Sequence, residues 1–153
     1  MKKIVFVCLG NICRSPLAEA IGDKIAKQNN YEFEIQSRGT GSWHVGEGAC
    51  SSSVAVAKEN GIDLSQHRAK QITKKESQNF DFFVALDHKN YEDLQAMGIS
   101  NPLLLGDFGF DGADVPDPYF FNDNQGFKEV FIMIQTAVVN LLKSLNKKDS
   151  HVQ

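Results

Sequence analysis

The sequence predicts an α/β fold: a single three-layer domain, 1–153, in which a four-stranded parallel sheet lies between layers of helices. Two observations predict this class. Apolar runs of strand length alternate along the chain with segments whose apolar residues recur at helical spacing. Two of the runs, Lys3–Val7 and Asp81–Asp87, have the continuous apolar character that is typical of strands covered on both faces. We therefore expect strand and helix to follow each other four times along the chain.

The strands are predicted from apolar residues that are either continuous or alternate with polar ones. Residues 31–37 alternate apolar and polar side chains, which indicates a strand with one covered face. Residues 103–105 form a short apolar run that is long enough only for a brief strand. In chain order, the expected strands are Lys3–Val7, Tyr31–Ser37, Asp81–Asp87 and Leu103–Leu105.

The helices are predicted from apolar residues at helical spacing together with start and stop signals. Ser15 followed by Pro16 predicts a helix start, because serine caps helices and proline is tolerated at the first helical position. Gly61 followed by Ile62 predicts a Schellman stop at the end of the second helix. In chain order, the expected helices begin at Ser15, span Ser51–Asn60, lie around Tyr91–Met97 and span Gln125–Lys147.

Composition and charge exclude several classes of function. Sixteen Lys and Arg against nineteen Asp and Glu give a net charge of -3, which argues against binding nucleic acid by phosphate neutralisation. No apolar stretch approaches the ~20 residues of a membrane span, and the apolar run at the N-terminus is shorter than the ~7–15 residues of a signal-peptide core. Three cysteines without an export signal indicate a reducing compartment. We expect a cytoplasmic protein that binds neither nucleic acid nor membranes.

The loop between the first strand and the first helix, Cys8–Ser15, has the composition of an anion-binding site. Ligands of parallel sheets bind beyond the carboxyl ends of the strands, where this loop is expected to lie. Gly10 and Asn11 tolerate left-handed backbone angles, so the loop can curl and direct its N–H groups inward. Arg14 offers planar donors that match phosphate oxygens, and the helix start adds the positive end of its dipole. This positive field favours the nucleophilic thiolate form of Cys8.

The Cys8–Ser15 loop resembles the signature loop of the low-molecular-weight protein tyrosine phosphatases. The likeness runs through nearly the whole chain, because Ser37, Trp43 and His67 follow in family order, as does the Val-Pro-Asp-Pro-Tyr segment at 115–119. The resemblance implies a flavodoxin-like or Rossmann-like phosphatase fold. It also implies hydrolysis of tyrosine-phosphorylated proteins and small aryl phosphates, including acid-phosphatase-type activity, without a metal ion or cofactor. Inorganic phosphate would be both a product and an inhibitor.

The resemblance assigns a role to each matching residue. Cys8 would attack phosphorus to form a phosphocysteine, and Arg14 would bind the phosphate oxygens. Asp117 would protonate the leaving oxygen and then activate water against the phosphocysteine. The phosphate-binding loop would contain Leu9, Gly10, Asn11, Ile12 and Cys13, its supporting network Ser15, Ser37 and His67, and the aromatic walls of the substrate cleft Trp43 and Tyr119.

Three other functions match parts of this pattern. Arsenate reduction on the same fold needs a resolving pair of cysteines in a later segment, and only Cys50 follows Cys13. Phosphoarginine phosphatases of similar architecture carry a small polar residue at the position of Ile12, whose apolar side chain fits an aromatic ring better. A phosphopeptide-binding module would need neither a thiolate nor an acid, whereas this chain has both Cys8 and Asp117. These differences favour a tyrosine phosphatase.

The cysteines also predict redox sensitivity. Peroxide attacks thiolates, and Cys13 lies five positions from Cys8, so we expect the two to form a reversible, inactivating disulfide. Bound phosphate should slow this reaction by covering Cys8. We expect Cys50 to be a structural thiol. No metal site is expected, because Cys8 and Cys13 lack a second pair of Cys or His ligands at a suitable spacing.

Overall fold

The strands of the computed structural model form a parallel sheet, which confirms the predicted α/β class. The structure describes residues 1–117 and 124–150. Within these ranges, the sheet has the strand order β2-β1-β3-β4. The strands are β1 (Lys2–Cys8), β2 (Phe33–Gly39), β3 (Phe82–Ala85) and β4 (Leu103–Leu104).

Helices cover both faces of the sheet in the described residues. One apolar core joins β1 and β2 to three helices, and a second core joins the opposite face to the remaining helix and to residues 72–80. Within 1–117 and 124–150, no helix is long and apolar enough to cross a membrane. The helices are α1 (Arg14–Gln28), α2 (Ser51–Glu59) and α4 (Asn124–Ser150) on the first face and α3 (His88–Ala96) on the second.

The central strand β1 is buried because both of its faces are apolar. Ile4 and Phe6 belong to the core beneath α1, whereas Val5 and Val7 belong to the core beneath α3, and all four are fully buried. This alternation follows from the two-residue period of a strand. Truncating a fully buried phenylalanine such as Phe6 to alanine costs about 3–5 kcal/mol of stability. The continuous apolar run in the sequence is thus what places β1 in the middle of the sheet.

The helix ends follow local signals, with one correction. The stop after α2 is the predicted Schellman motif: Ile62 N–H donates to Ala57 at 2.9 Å and Gly61 N–H donates to Lys58 at 3.1 Å. Gly61 has a φ of 74°, a left-handed conformation that glycine adopts without strain. The predicted start of α1 is wrong by one residue. The helix begins at Arg14, and Ser15 lies inside it instead of capping it.

The strand order places one loop in the crevice where ligands bind in such sheets. From β1 the chain passes to β2 on one side, and β3 lies on the other side of β1. The Cys8–Ser15 loop leaves the carboxyl end of β1 at this change of direction. Asp87 follows β3, the strand next to β1, so its carboxylate reaches the same edge of the sheet.

Candidate active site

The Cys8–Ser15 loop curls around the sulfur of Cys8. Asn11 has a φ of 57°, and its backbone N–H points to Cys8 Sγ at a distance of 3.3 Å. The hydroxyl of Ser15 lies 3.0 Å from the same sulfur. The turn of the loop thus requires a left-handed residue, a conformation that asparagine adopts more readily than most residues. The result is a sulfur that faces hydrogen-bond donors from its own loop.

The Asn11 side chain links this loop to two distant parts of the chain. Its Nδ2 donates to Ser15 Oγ at 2.8 Å and to Ser37 Oγ at 2.9 Å. Its Oδ1 accepts from the backbone N–H of Lys70 at 2.9 Å. His67 Nε2 lies 2.7 Å from the backbone oxygen of Asn11. The structure therefore joins Asn11 of the loop to the three residues expected to support it: Ser15, Ser37 and His67.

The position of Ser15 explains why α1 begins earlier than expected. Its hydroxyl accepts from Asn11 and contacts the Cys8 sulfur, so it is not available to cap the backbone N–H groups of the first turn. The network continues beyond Ser37, whose hydroxyl donates to Glu19 Oε1 of α1 at 2.6 Å. The serine that the sequence predicts as a helix cap thus contacts the Cys8 sulfur instead.

Arg14 is held in place by groups from two other segments. Its Nη1 donates to Asp87 Oδ2 at 2.7 Å and to the backbone oxygen of Val115 at 3.1 Å. Its Nη2 lies 3.9 Å from Asp117 Oδ2. Burial lowers the pKa of Arg14, but Cys8 and the two carboxylates outweigh burial and raise its pKa above the usual range. The guanidinium is consequently a fixed, permanent cation beside Cys8.

A cavity of about 270 Å³ opens at this loop. The mouth of the cavity has two exposed apolar side chains, Trp43 at 73% exposure and Leu9 at 41%. Tyr119, the second expected aromatic wall, lies outside the described residues. The residues that line the cavity are Cys8, Leu9, Gly10, Ile12, Cys13, Arg14, Trp43, His44 and Asp117.

Sequence reasoning missed two side chains of this region. His44 lines the cavity beside Trp43, and its Nδ1 lies 2.8 Å from Glu47 Oε2. Asp87 holds Arg14, although 73 residues separate them. The signal for Asp87 was present, because it directly follows a buried strand of a parallel sheet. No comparable signal marks His44.

Two of the three cysteines are joined in a disulfide. Cys13 forms a disulfide with Cys50, and Cys8 is free and buried. The prediction that Cys50 is a structural thiol is therefore wrong, whereas the Cys8–Cys13 disulfide, expected on treatment with peroxide, stays a prediction. The cause is tertiary: Cys50 N–H donates to Ile12 O at 2.8 Å, and Ser53 Oγ donates to Cys13 O at 3.0 Å. These bonds hold the start of α2 against Ile12 and Cys13 of the loop.

The metal-ligand chemistry of the described residues is limited. No three His, Cys, Asp or Glu side chains within 1–117 and 124–150 lie in an arrangement that could hold a metal ion. The carboxylates of Asp87 and Asp117 both lie beside the Arg14 guanidinium, at 2.7 Å and 3.9 Å. Their arrangement thus suits an arginine-centred anion site.

Comparisons with known proteins agree with this geometry. The family model described as low molecular weight phosphotyrosine protein phosphatase matches residues 3–151. The chain is 36% identical over 156 residues to the low molecular weight protein-tyrosine-phosphatase YfkJ of Bacillus subtilis. That match covers 97% of this chain and 98% of the relative.

Solved structures of phosphatases share the fold of this chain. A protein tyrosine phosphatase from Entamoeba histolytica, with Hepes in its active site, superimposes with a TM-score of 0.90 at 31% identity, covering 97% of this chain and 99% of that chain. A drosophila arginine phosphatase, DARP, superimposes with a TM-score of 0.87 at 28% identity, covering 95% and 98% of the two chains. Because the family model matches almost every residue, this chain belongs to the low molecular weight phosphotyrosine protein phosphatase family.

Proposed function

We propose that this protein hydrolyses phosphotyrosine in proteins, and small aryl phosphates, through a phosphocysteine on Cys8 and without a metal ion or cofactor. One observation carries the proposal: Cys8, Arg14 and Asp117 line a single cavity, and the Arg14 guanidinium lies 3.9 Å from the Asp117 carboxylate. A nucleophile, a phosphate-binding cation and an acid are the three groups that such a reaction requires.

In the first step, Cys8 attacks phosphorus as a thiolate. The Asn11 N–H and the Ser15 hydroxyl, both at the sulfur, stabilise its negative charge. Arg14 neutralises the phosphate oxygens as charge spreads over them in the transition state. Because Asp87 and Val115 fix the guanidinium in advance, little reorganisation is needed when the phosphate arrives. The product of this step is the phosphocysteine.

Asp117 supplies the proton to the leaving group. A phenolate is a poor leaving group because the phenol has a pKa of about 10, so protonation accelerates its departure by roughly 10²–10⁴-fold. The same carboxylate then accepts a proton from the water that attacks the phosphocysteine. About a third of the Asp117 side chain is exposed, which allows water to reach it. Inorganic phosphate leaves as the product and, at high concentration, inhibits by occupying the loop.

The apolar lining of the cavity favours an aromatic substrate. Leu9, Ile12 and Trp43 together form a surface on which a phenyl ring can pack. Phosphoarginine is the alternative substrate, since the similar structure DARP is an arginine phosphatase. A guanidinium group could stack on Trp43, but it would gain nothing from Ile12. We therefore expect tyrosine-phosphorylated proteins in the cytoplasm to be the substrates, with acid-phosphatase-type activity on small aryl phosphates.

The test compares three phosphopeptides that differ only in carrying phosphotyrosine, phosphoserine or phosphoarginine. The wild type should hydrolyse the phosphotyrosine peptide fastest, with or without a chelator. Rapid quenching followed by mass spectrometry should find the phosphate on Cys8. The variant Cys8→Ser should be inactive, whereas Cys50→Ser, which alters a thiol outside the cavity lining, should remain active. Preferred hydrolysis of phosphoarginine, or activity in Cys8→Ser, would contradict the proposal.

A further inference from the structure

The proposed chemistry uses one of the three cysteines and leaves the other two unexplained. Cys8 and Cys13 line the same cavity, and Cys13 is bonded to Cys50, which is not among the lining residues. Hydrolysis of a phosphate ester needs neither of these two sulfurs. Their disulfide nevertheless joins the Cys8–Ser15 loop to the residue that precedes α2. A function for the pair must therefore be sought in redox chemistry.

We propose that Cys13 and Cys50 form a resolving pair that returns an oxidised Cys8 to its thiolate, so that the enzyme remains active after reaction with peroxide. This inference rests on the proposed function in one respect: it takes Cys8 to be the reactive thiolate. It also differs from the expectation drawn from the sequence, in which oxidation ends at an inactive Cys8–Cys13 disulfide. The Cys8–Cys13 disulfide becomes a transient intermediate, and the Cys13–Cys50 disulfide becomes the stable product.

The electrons and atoms balance in three steps. Cys8 thiolate attacks one oxygen of hydrogen peroxide, the O–O bond breaks, and Cys8 sulfenic acid and hydroxide form. The Cys13 thiol then attacks the Cys8 sulfur, forming the Cys8–Cys13 disulfide and releasing water. The Cys50 thiol finally gives its proton to the hydroxide, which forms the second water, and the resulting thiolate attacks the Cys13 sulfur as the bond to Cys8 breaks with release of the Cys8 thiolate. Overall, one peroxide is reduced to two waters while the thiols of Cys13 and Cys50 are oxidised.

The backbone holds Cys50 within reach of Cys13 independently of the disulfide. Cys50 N–H donates to Ile12 O, and Ser53 Oγ donates to Cys13 O, so each cysteine is tied to the segment that carries the other. The Cα atoms of Cys13 and Cys50 lie 5.4 Å apart. The last step therefore needs a rotation of side chains rather than a rearrangement of the loop.

The environment of Cys8 makes it the better leaving group of the two. Asn11 N–H and Ser15 Oγ contact its sulfur, and the Arg14 guanidinium is adjacent, so a negative charge on Cys8 is stabilised. Thiol–disulfide exchange expels the sulfur that best carries this charge. A Cys8–Cys13 bond thus loses these charge-stabilising contacts, and attack by Cys50 restores them. The structure itself combines a free Cys8 with a bonded Cys13–Cys50 pair and an open cavity.

The test oxidises fully reduced protein with one equivalent of hydrogen peroxide and then removes the oxidant. Disulfides are mapped by mass spectrometry and phosphatase activity is measured on the same samples. The wild type should contain the Cys13–Cys50 disulfide with Cys8 free and retain most of its activity. The variant Cys50→Ser should have wild-type activity before oxidation. After oxidation it should contain the Cys8–Cys13 disulfide and lose nearly all activity until a dithiol is added.

Two outcomes would overturn the proposal. Equal loss of activity in the wild type and in Cys50→Ser, with Cys8–Cys13 as the product in both, would show that Cys50 does not resolve the disulfide. Formation of the Cys13–Cys50 disulfide in Cys8→Ser as fast as in the wild type would show that oxidation does not enter through Cys8. Failure of the proposed function is seen separately, as phosphatase activity in unoxidised Cys8→Ser.

Discussion

The Cys8–Ser15 loop and the loop at 39–48 border the same cavity but are built in opposite ways. In the first loop, Asn11 and Ser15 are fully buried and bonded to each other. In the second, Trp43 and Val45 are 73% and 56% exposed. The second loop is anchored at its base, where Gly41 N–H donates to Leu9 O at 2.9 Å, while its tip projects into solvent. Buried, hydrogen-bonded residues thus surround the sulfur, whereas exposed side chains surround the mouth of the cavity.

This difference assigns separate tasks to the two loops. Groups that stabilise a transition state must be positioned before the substrate arrives, which requires burial and multiple hydrogen bonds. Groups that recognise a protein surface must themselves be accessible. We therefore expect variants of the Cys8–Ser15 loop to lower kcat for every substrate. Variants of the loop at 39–48 should change KM and substrate preference and leave kcat nearly unchanged.

The largest effect is expected from Arg14→Lys. Lysine keeps the positive charge but cannot bind Asp87 and two phosphate oxygens at once, so kcat should fall by about 10³-fold or more on all substrates. Steady-state kinetics with phosphotyrosine peptide and phenyl phosphate would measure this. The matched control is Arg38→Lys, since Arg38 is also buried and pairs with Glu76 at 3.1 Å but does not line the cavity. A kcat for Arg14→Lys close to that of the control would contradict the assignment of transition-state stabilisation to the Cys8–Ser15 loop.

The second-largest effect on the reaction rate is expected from Asp117→Asn, which removes the acid without changing the shape of the side chain. The variant should lose about 10²–10⁴-fold of kcat/KM on phenyl phosphate. It should lose far less on 4-nitrophenyl phosphate, because that phenolate leaves without a proton. The control is Asp114→Asn in the same segment, whose carboxylate accepts from the backbone N–H of His88 at 2.8 Å. Equal losses on both substrates would exclude Asp117 as the acid.

Much of this site could be predicted because its central residues are close in sequence. Cys8 and Arg14 flank one short loop, and the apolar run of β1 fixes where that loop leaves the sheet. The residues that support the loop, such as Ser37 and His67, were expected only from the resemblance to a family. Nothing in their local sequence distinguishes them from ordinary polar residues. Local pattern thus locates the reacting groups, whereas the network around them depends on the whole fold.

The structure differs from two of the expectations, at residues that had more than one possible partner. Ser15 is a good helix cap, but its hydroxyl contacts the Cys8 sulfur instead, and α1 therefore begins at Arg14. Cys50 was expected to be a structural thiol, yet the fold brings it to Cys13, 37 residues away in sequence. In both cases a tertiary contact competes with a local one, and sequence spacing does not reveal which of them forms.

A smaller effect, on KM, is expected from Trp43→Ala. The exposed indole gains its contact only when an aromatic substrate packs against it, so its loss should raise KM for a phosphotyrosine peptide by about 10-fold. Inhibition by inorganic phosphate, which touches only the Cys8–Ser15 loop, should be unchanged. The control is Val45→Ala, an exposed apolar residue of the same loop that is not among the cavity-lining residues. A fall in kcat with an unaltered KM would show that this loop takes part in the reaction itself.

The smallest effect concerns stability, and it tests the support behind the Cys8–Ser15 loop. Burial and the neighbouring Glu19 carboxylate raise the pKa of Asp23 to about 6, from an ordinary value of 3.8, while Lys27 partly offsets them. Glu19 is the residue that accepts the Ser37 hydroxyl. Because the folded pKa is the higher one, charged Asp23 destabilises the fold above about pH 6. This penalty fades as the pH falls through about 6 toward 3.8.

Asp23→Asn should therefore raise the free energy of unfolding at neutral pH by about 1 kcal/mol, a value reduced for solvent screening because Asp23 is only partly buried. The gain should disappear near the ordinary pKa of 3.8, and kcat should not change. Urea denaturation at several pH values would measure both the size and the sign of this change in the free energy of unfolding. Asp63→Asn is the matched control with the opposite sign, since Ser65 lowers the pKa of Asp63 by donating to its carboxylate. A variant Asp23→Asn that is no more stable than the wild type at neutral pH would mean that Glu19 supports Ser37 without strain from a neighbouring charge.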